Sequence, residues 1–280
     1  MRTLKLTIAY DGTRYAGWQA QGSPSPGLAV TGRARDHRTA ASAAARRRAP
    51  HVLTVQGKLE RILRIVLREP VSVVGSGRTD AGVHALAQVA HVKTQSDLPC
   101  RRLLRSVNAL LPSDISVLGI QEAEPSFHAR FDAVSKRYRY RVFLGDVVPP
   151  FIRPYVYHVR VPLNVALMRR EAACLKRRHD FRAFIRMGSG RTGTVRTLTD
   201  VEVVRRGREL HVEVEGNGFL HTMVRSIAGT LLDIGRGRLA AGTIRRMLRT
   251  GDRRLAGTTA PAQGLCLVSV TYTARGQGES

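Results

Sequence analysis

The sequence predicts an α+β fold of two ferredoxin-like halves, because the order strand, helix, strand, strand, helix, strand is read twice along its 280 residues. Strict alternation of apolar and polar residues at Leu4, Leu6 and Ile8, and again at Tyr138, Tyr140 and Val142, calls for half-buried strands in mainly antiparallel sheets. The length is sufficient for two compact cores. The expected division is residues 1–125 and 126–280, joined across Gln121 to Ser135, with the two sheets side by side and a basic cleft between them.

In the first half, Leu4, Leu6 and Ile8 precede an Asp11-Gly12 turn and define the opening strand. A helix is expected from the N-cap Thr54 to Arg68, with Val55, Leu59, Ile62, Leu63 and Val66 on one stripe and Pro70 ending it. Val71 to Val74 and Leu86 to Val92 read as strands flanking a glycine-rich loop. Leu103, Leu104, Val107, Leu110 and Leu111 form a second helix stopped by Pro112, and Ile115 to Ile120 closes the half as a strand.

The second half begins with Lys136 to Leu144, where Tyr138, Tyr140 and Val142 share a face opposite Arg137, Arg139 and Arg141. A helix over Leu163 to Arg178 follows. Thr197 to Val204 and Glu209 to Gly216 make a hairpin across Arg205-Arg206-Gly207-Arg208, and a helix runs from Phe219 to Ile234. A short helix over Thr243 to Arg249 precedes the last strand, Leu265 to Tyr272.

The segment Gly22 to His51 interrupts this pattern. It contains Ser23-Pro24-Ser25-Pro26, an alanine run and Arg46-Arg47-Arg48 but no aromatic residue, so it reads as a disordered or loosely helical basic insertion. Either it is simply solvated or it forms an arm that touches phosphate.

Composition limits the function. With 46 Lys and Arg against 21 Asp and Glu, the formal net charge is +25, and the sequence pI is about 11.5. So large an excess points to a polyanion, nucleic acid first. No apolar run approaches a membrane span, and Lys5 and Asp11 interrupt the start without a signal-peptide core, so no membrane partner and a cytoplasmic location are expected. Cys100, Cys174 and Cys266 are odd in number and widely spaced, which suggests neither a disulfide framework nor a zinc site. Gly188 to Gly193 satisfies GxGxxG by letter but precedes a strand, whereas a dinucleotide fingerprint follows one and opens a helix. No GxxxxGK[ST], HExxH or GxSxG string occurs, and the nine histidines are scattered, so no metal and no cofactor are expected.

The stretch that carries chemistry is Gly77-Arg78-Thr79-Asp80-Ala81-Gly82-Val83-His84, one carboxylate between an arginine and a histidine in a glycine-bracketed loop. Such a loop either turns the chain or fixes Asp80 at the floor of a cleft. Arg225, among Gly216, Gly218, Ala228 and Gly229, either snorkels to solvent or pairs with a carboxylate, for which Asp80 is the candidate; His221 lies one turn earlier. Tyr138 is either core or a platform for a splayed base, with Arg137 and Arg139 beside it to hold phosphates.

Several blocks together resemble the tRNA pseudouridine synthase A family: YDGTRYAGWQ at Tyr10 to Gln19, TVQGKLE at Thr54 to Glu60 and GRTDAGVHA at Gly77 to Ala85. NALLP at Asn108 to Pro112, FHARF at Phe127 to Phe131, KRYRY at Lys136 to Tyr140, HDFRAF at His179 to Phe184 and GNGFLHTMVRSIAGTL at Gly216 to Leu231 follow in family order. The resemblance covers nearly the whole chain apart from 22–51, a region that is only a few residues long in the family.

The resemblance implies the pseudouridine synthase fold, with sheets flanking a basic active-site cleft, and isomerisation of uridine at positions 38, 39 and 40 of the tRNA anticodon stem and loop. It implies that Asp80 is the catalytic aspartate, Arg225 its ion-pair partner, Tyr138 the aromatic beside the reacting base and Arg78 a residue that displaces that base. It also implies a homodimer. His84, Arg137, Arg139 and His221 join Arg78 as candidate RNA-binding residues. The reaction breaks the N1 glycosidic bond and joins C5 to the same sugar carbon, so an ionised Asp80 would attack C1′, add to C6 or remove a sugar proton. A non-catalytic tandem RNA-binding protein of RRM type shares the split βαβ order, but Lys136 to Phe143 departs from the RNP1 consensus.

Overall fold

The computed structural model describes residues 1–19, 53–185 and 193–273. The expectations for the insertion at 22–51 and for most of the glycine-rich run at 188–193 fall outside the described residues.

Strand β1 (Arg2–Tyr10) turns Leu4, Leu6, Ile8 and Tyr10 into the core, as its alternation requires. Helix α1 (Val55–Leu67) starts where expected: the Thr54 side chain accepts from the Gly57 amide at 3.1 Å, a cap worth about 1 kcal/mol. The chain continues through β2 (Val74–Gly75), β3 (His84–Thr94), α2 (Cys100–Leu110) and β4 (Ile115–Ala123). The strand expected over Val71 to Val74 is reduced to β2. The Glu60 carboxylate of α1 accepts the Val73 amide at 3.0 Å, so that donor is taken by a side chain although Val71 and Val73 are buried.

The remainder contains β5 (Ala133–Leu144), β6 (Tyr157–Val159), α3 (Val165–Ala173), β7 (Arg177–Asp180), β8 (Val195–Arg206), β9 (Glu209–Gly216), α4 (Met223–Gly235), α5 (Thr243–Thr250) and β10 (Leu265–Tyr272). Two expected helices are shorter than their apolar patterns. Asn164 caps α3, and Arg177 at φ 95° turns the chain into β7, so residues 177–178 are strand rather than helix. Thr222 sits at φ 60° and excludes Phe219 to Thr222 from α4.

The ten strands form one sheet in the order β4-β1-β3-β10-β5-β9-β8-β7, with β2 on β3 and β6 on β5. Within it β4-β1-β3-β2 and β10-β5-β9-β8 repeat the same spatial order, that of a split βαβ unit. The seam between them is a parallel β3–β10 contact of two residue pairs, His84 with Cys266 and Ala85 with Leu267. Strand β2 occupies the same edge of β3 farther along, opposite Ala90 and His91. The connection 76–83 therefore leaves the sheet at the seam. One hydrophobic core runs from Leu4 to Leu267 across it.

Helix α4 is buried along its whole length except at Arg225. Its polar residues dock the segment 257–260: Thr230 accepts from the Gly257 amide at 3.1 Å, and Asp233 accepts the Thr258 amide at 3.0 Å and its hydroxyl at 3.2 Å. Gly229 makes that approach possible, because a Cβ there would lie 1.7 Å from the Thr258 carbonyl oxygen. Gly229→Ala is expected to destabilise the protein by about 1–3 kcal/mol through forced displacement of this segment. Gly119→Ala, where an added Cβ meets nothing within 4 Å, is expected to change stability by no more than about 0.5 kcal/mol. Thermal denaturation of the two variants beside the parent checks the pair.

Candidate active site

Three chain segments build the site around the seam. The first is the loop 76–83, held down by the stretch that follows β1. The Trp18 amide donates to the Thr79 carbonyl at 3.2 Å, the Gly82 amide to the Tyr15 carbonyl at 3.2 Å, and the Tyr10 and Thr79 hydroxyls meet at 2.8 Å. Gly17 is required in this clamp: its φ is 93°, and a Cβ would fall 2.3 Å from the Thr79 carbonyl oxygen. The loop is thus fixed at its backbone, and Asp80 projects from a rigid support.

The second segment is α4, whose Arg225 reaches Asp80. Nη1 donates to Asp80 Oδ2 at 3.0 Å, and His221 Nε2, in the turn before the helix, lies 3.4 Å from Oδ1. Both carboxylate oxygens therefore face a nitrogen. The Asp80 and Arg225 side chains are 17% and 19% exposed, so the pair is partly desolvated yet open to a ligand. Arg225 is oriented in turn by the docked segment: Nε donates to the Ala260 carbonyl at 2.8 Å, and the Ala260 amide donates to the Arg225 carbonyl at 3.1 Å. A guanidinium held at two of its nitrogens presents its charge in one direction.

The third segment is β5. Tyr138 is 6% exposed, with Phe219 edge-on at 5.0 Å between ring centroids and 78° between planes. Burial, reinforced by Tyr10 and then by the Asp80 charge, pushes its phenol well above the ordinary value near 10. Tyr138 is therefore a neutral phenol, a hydrogen-bond donor rather than a resting base, and its ring is packed rather than laid open as a platform.

The remaining predicted residues divide. Arg78 is exposed two residues before Asp80, with Nε donating to Gln19 at 2.8 Å. His84 is buried in a structural position: Nδ1 accepts from the Gly12 amide at 3.1 Å, and Nε2 lies 3.2 Å from the Gln263 carbonyl, to which it donates in that tautomer. Arg137 and Arg139 are not brought to Asp80. Neighbouring strand residues point to opposite faces, and on the face away from Tyr138 these arginines pair with β9, Arg137 with Glu215 at 2.6 Å and Arg139 with Glu213 at 2.9 Å. Arg141 extends this ladder to Glu209 at 2.8 Å and holds that carboxyl down at about 2.

Two contributors escaped the sequence reading. Lys136 shares the Tyr138 face and is 9% exposed, with its Cε 3.5 Å from a Cβ placed on Gly77. Its period-two relation to Tyr138 was the available signal. Segment 257–260 acts through backbone groups, which leave no residue-type trace. Among the described residues no cluster of His, Cys, Asp and Glu is arranged to hold a metal ion, and no helix is long and apolar enough to cross a membrane.

Residues 6–132 and 175–273 match the family model described as tRNA pseudouridine synthase. The chain is 37% identical over 272 residues to tRNA pseudouridine synthase A of Thermoanaerobacter sp. (strain X514), covering 97% of this chain and 100% of that protein. It is 41% identical, with the same coverage, to tRNA pseudouridine synthase A of Pelobacter propionicus. A chain of the solved Cbf5-Nop10-Gar1 complex superposes with a TM-score of only 0.33 at 16% identity, over 76% of this chain and 44% of that one. With more than half its length matched by the family model and near-complete relatives above 30% identity, the chain belongs to the tRNA pseudouridine synthase family.

Proposed function

We infer that the protein isomerises uridine to pseudouridine in tRNA with Asp80 as the catalytic carboxylate. The observation that carries this reading is the Asp80–Arg225 pair, 3.0 Å between Oδ2 and Nη1 in a site still open to a ligand. Pseudouridine formation needs a carboxylate held against the arriving base, and a fixed guanidinium holds this one in place. In the reaction the C1′–N1 bond breaks and a C1′–C5 bond forms. The proton lost from C5 is balanced by one gained at N1, so no electrons enter or leave. Asp80 attacks C1′, adds to C6 or removes a sugar proton, and all three routes start from the same ionised group.

Tyr138 stands beside the carboxylate as a protonated phenol. It donates a hydrogen bond to the reacting base while holding its own proton more tightly than a free phenol does. Arg78, exposed at the rim, enters the stem as the uridine leaves its stack, an event that costs a few kcal/mol. His221 supports the second oxygen of Asp80. The excess of cations suits a polyanionic stem and loop recognised by shape and backbone. Resemblance to the family supports action at positions 38, 39 and 40, a homodimer, a cytoplasmic location, and the division into halves at residues 1–125 and 126–280 around the cleft. The non-catalytic RNA-binding reading gives the Asp80–Arg225 pair no task.

The deciding experiment is tritium release from unmodified tRNA carrying 5-tritiated uridine. The wild type is expected to release tritium, and Asp80→Ala to bind the same tRNA without release; release by Asp80→Ala, or none by the wild type, would overturn the reading. Arg225→Lys is expected to lower the rate about 100-fold or more, because the two-point orientation of the guanidinium is lost with its planar fork. Tyr138→Phe is expected to lose about 100-fold or more in turnover. Because its phenol ionises above 10, the wild-type rate should show no tyrosine limb between pH 6 and pH 9. A rise in turnover across that interval that disappears in Tyr138→Phe would contradict the donor role.

A further inference from the structure

We propose that Lys136 is a binding residue that receives a backbone phosphate of the RNA next to the reacting uridine, which rests on the isomerase reading above. Lys136 differs from the neighbouring cations of β5. Arg137, Arg139 and Arg141 are each satisfied by a glutamate on the outer face. Lys136 points the other way and is 9% exposed, and among the described residues its ammonium has neither a carboxylate partner nor a hydrogen bond. Burial, and then repulsion from Arg130, lower its pKa.

An unpaired ammonium in a largely dry position is a cost to the folded protein, and one that an arriving anion removes. Its location identifies the anion. Residues two apart on a strand are separated by about 7 Å, so Lys136 stands one step from Tyr138 on the catalytic face. Its aliphatic stem lies beneath Gly77, the residue before Arg78 in the loop that carries Asp80. Phosphates along a nucleic-acid strand are spaced comparably with this step, so a base held at Tyr138 and Asp80 brings its own or an adjacent phosphodiester to Lys136. Arg130, exposed in the turn before β5 with its guanidinium 5.7 Å from the exposed Phe131 ring, extends the cationic surface away from the site. A free mononucleotide would satisfy the same charge but not bring the stem that Arg78 is placed to meet.

The test uses Lys136→Met in the full-length protein, which keeps the stem and deletes the charge. Binding of unmodified tRNA is measured at a series of salt concentrations in the Asp80→Ala background, so that turnover does not intervene. Loss of one phosphate contact is expected to weaken binding roughly tenfold or more at low salt. It is also expected to reduce the slope of log Kd against log salt by about one. Without RNA, the melting temperature of Lys136→Met should equal or exceed that of the parent, because an unpaired buried charge has been removed. An unchanged affinity and slope, with or without a lowered melting temperature, would overturn the proposal and leave Lys136 as a packing residue. Tritium release by the wild type is scored separately. Its absence would refute the isomerase reading, whereas release together with an unchanged salt slope would refute the role of Lys136 alone.

Discussion

The candidate site depends on bringing two opposite charges, 145 positions apart in the chain, to within 3.0 Å at a narrow seam. Asp80 belongs to the loop between β2 and β3, and Arg225 to the helix packed under the other half of the sheet. Between those halves the sheet is continuous through only two residue pairs of β3 and β10. So short a parallel contact is a weak hinge by itself. The shared hydrophobic core and the ion pair hold the seam in register, and each member of the pair is braced by backbone contacts. The clamp of Tyr10 to Gln19 fixes Asp80, and the segment 257–260 fixes Arg225. Small errors at either end would separate the charges, and a partly buried carboxylate without its partner is costly.

Strand β5 shows how one stretch of sequence serves two unlike purposes. Its odd-numbered arginines neutralise the glutamates of β9 and cross-link the back of the sheet, where partly buried pairs with good geometry outperform isolated surface ions. Its even-numbered residues, Lys136, Tyr138 and Tyr140, face the core and the site. A net charge of +25 is therefore a poor map of where RNA lies. Some of that charge is spoken for within the protein, and the informative cations are those whose position leaves them without an internal counter-charge.

Much of this was legible in the sequence, for identifiable reasons. Alternation gave β1, β5 and the β8–β9 hairpin, and Thr54 marked the start of α1 because capping is a local interaction between residues three apart. Helix ends were misread where the apolar pattern outlasted the helix. At Arg177 and Thr222 a backbone in the left-handed region ends the helical run, and neither residue type advertises that conformation. The strand ahead of β2 is shortened for a different reason, since a glutamate thirteen residues upstream takes the Val73 amide. In the site, Asp80 and Arg225 were identifiable because loop chemistry and a charge amid small residues are visible as residue types. Arg137 and Arg139 adjoin Tyr138 in sequence, but the two-residue period of the strand turns them to the opposite face, onto Glu215 and Glu213, while Lys136 shares the Tyr138 face.

Tyr138 illustrates why burial as well as proximity decides a chemical role. A tyrosine beside a carboxylate and near a guanidinium can be imagined as a base, but the surroundings act in one direction: desolvation, a second phenol and the Asp80 charge all disfavour the phenolate. The same desolvation makes the neutral hydroxyl a better donor once water is excluded, because a hydrogen bond strengthens in a low-dielectric site. The carboxylate and the phenol thus differ in what holds them, one paired with a guanidinium at 3.0 Å and the other kept neutral by burial.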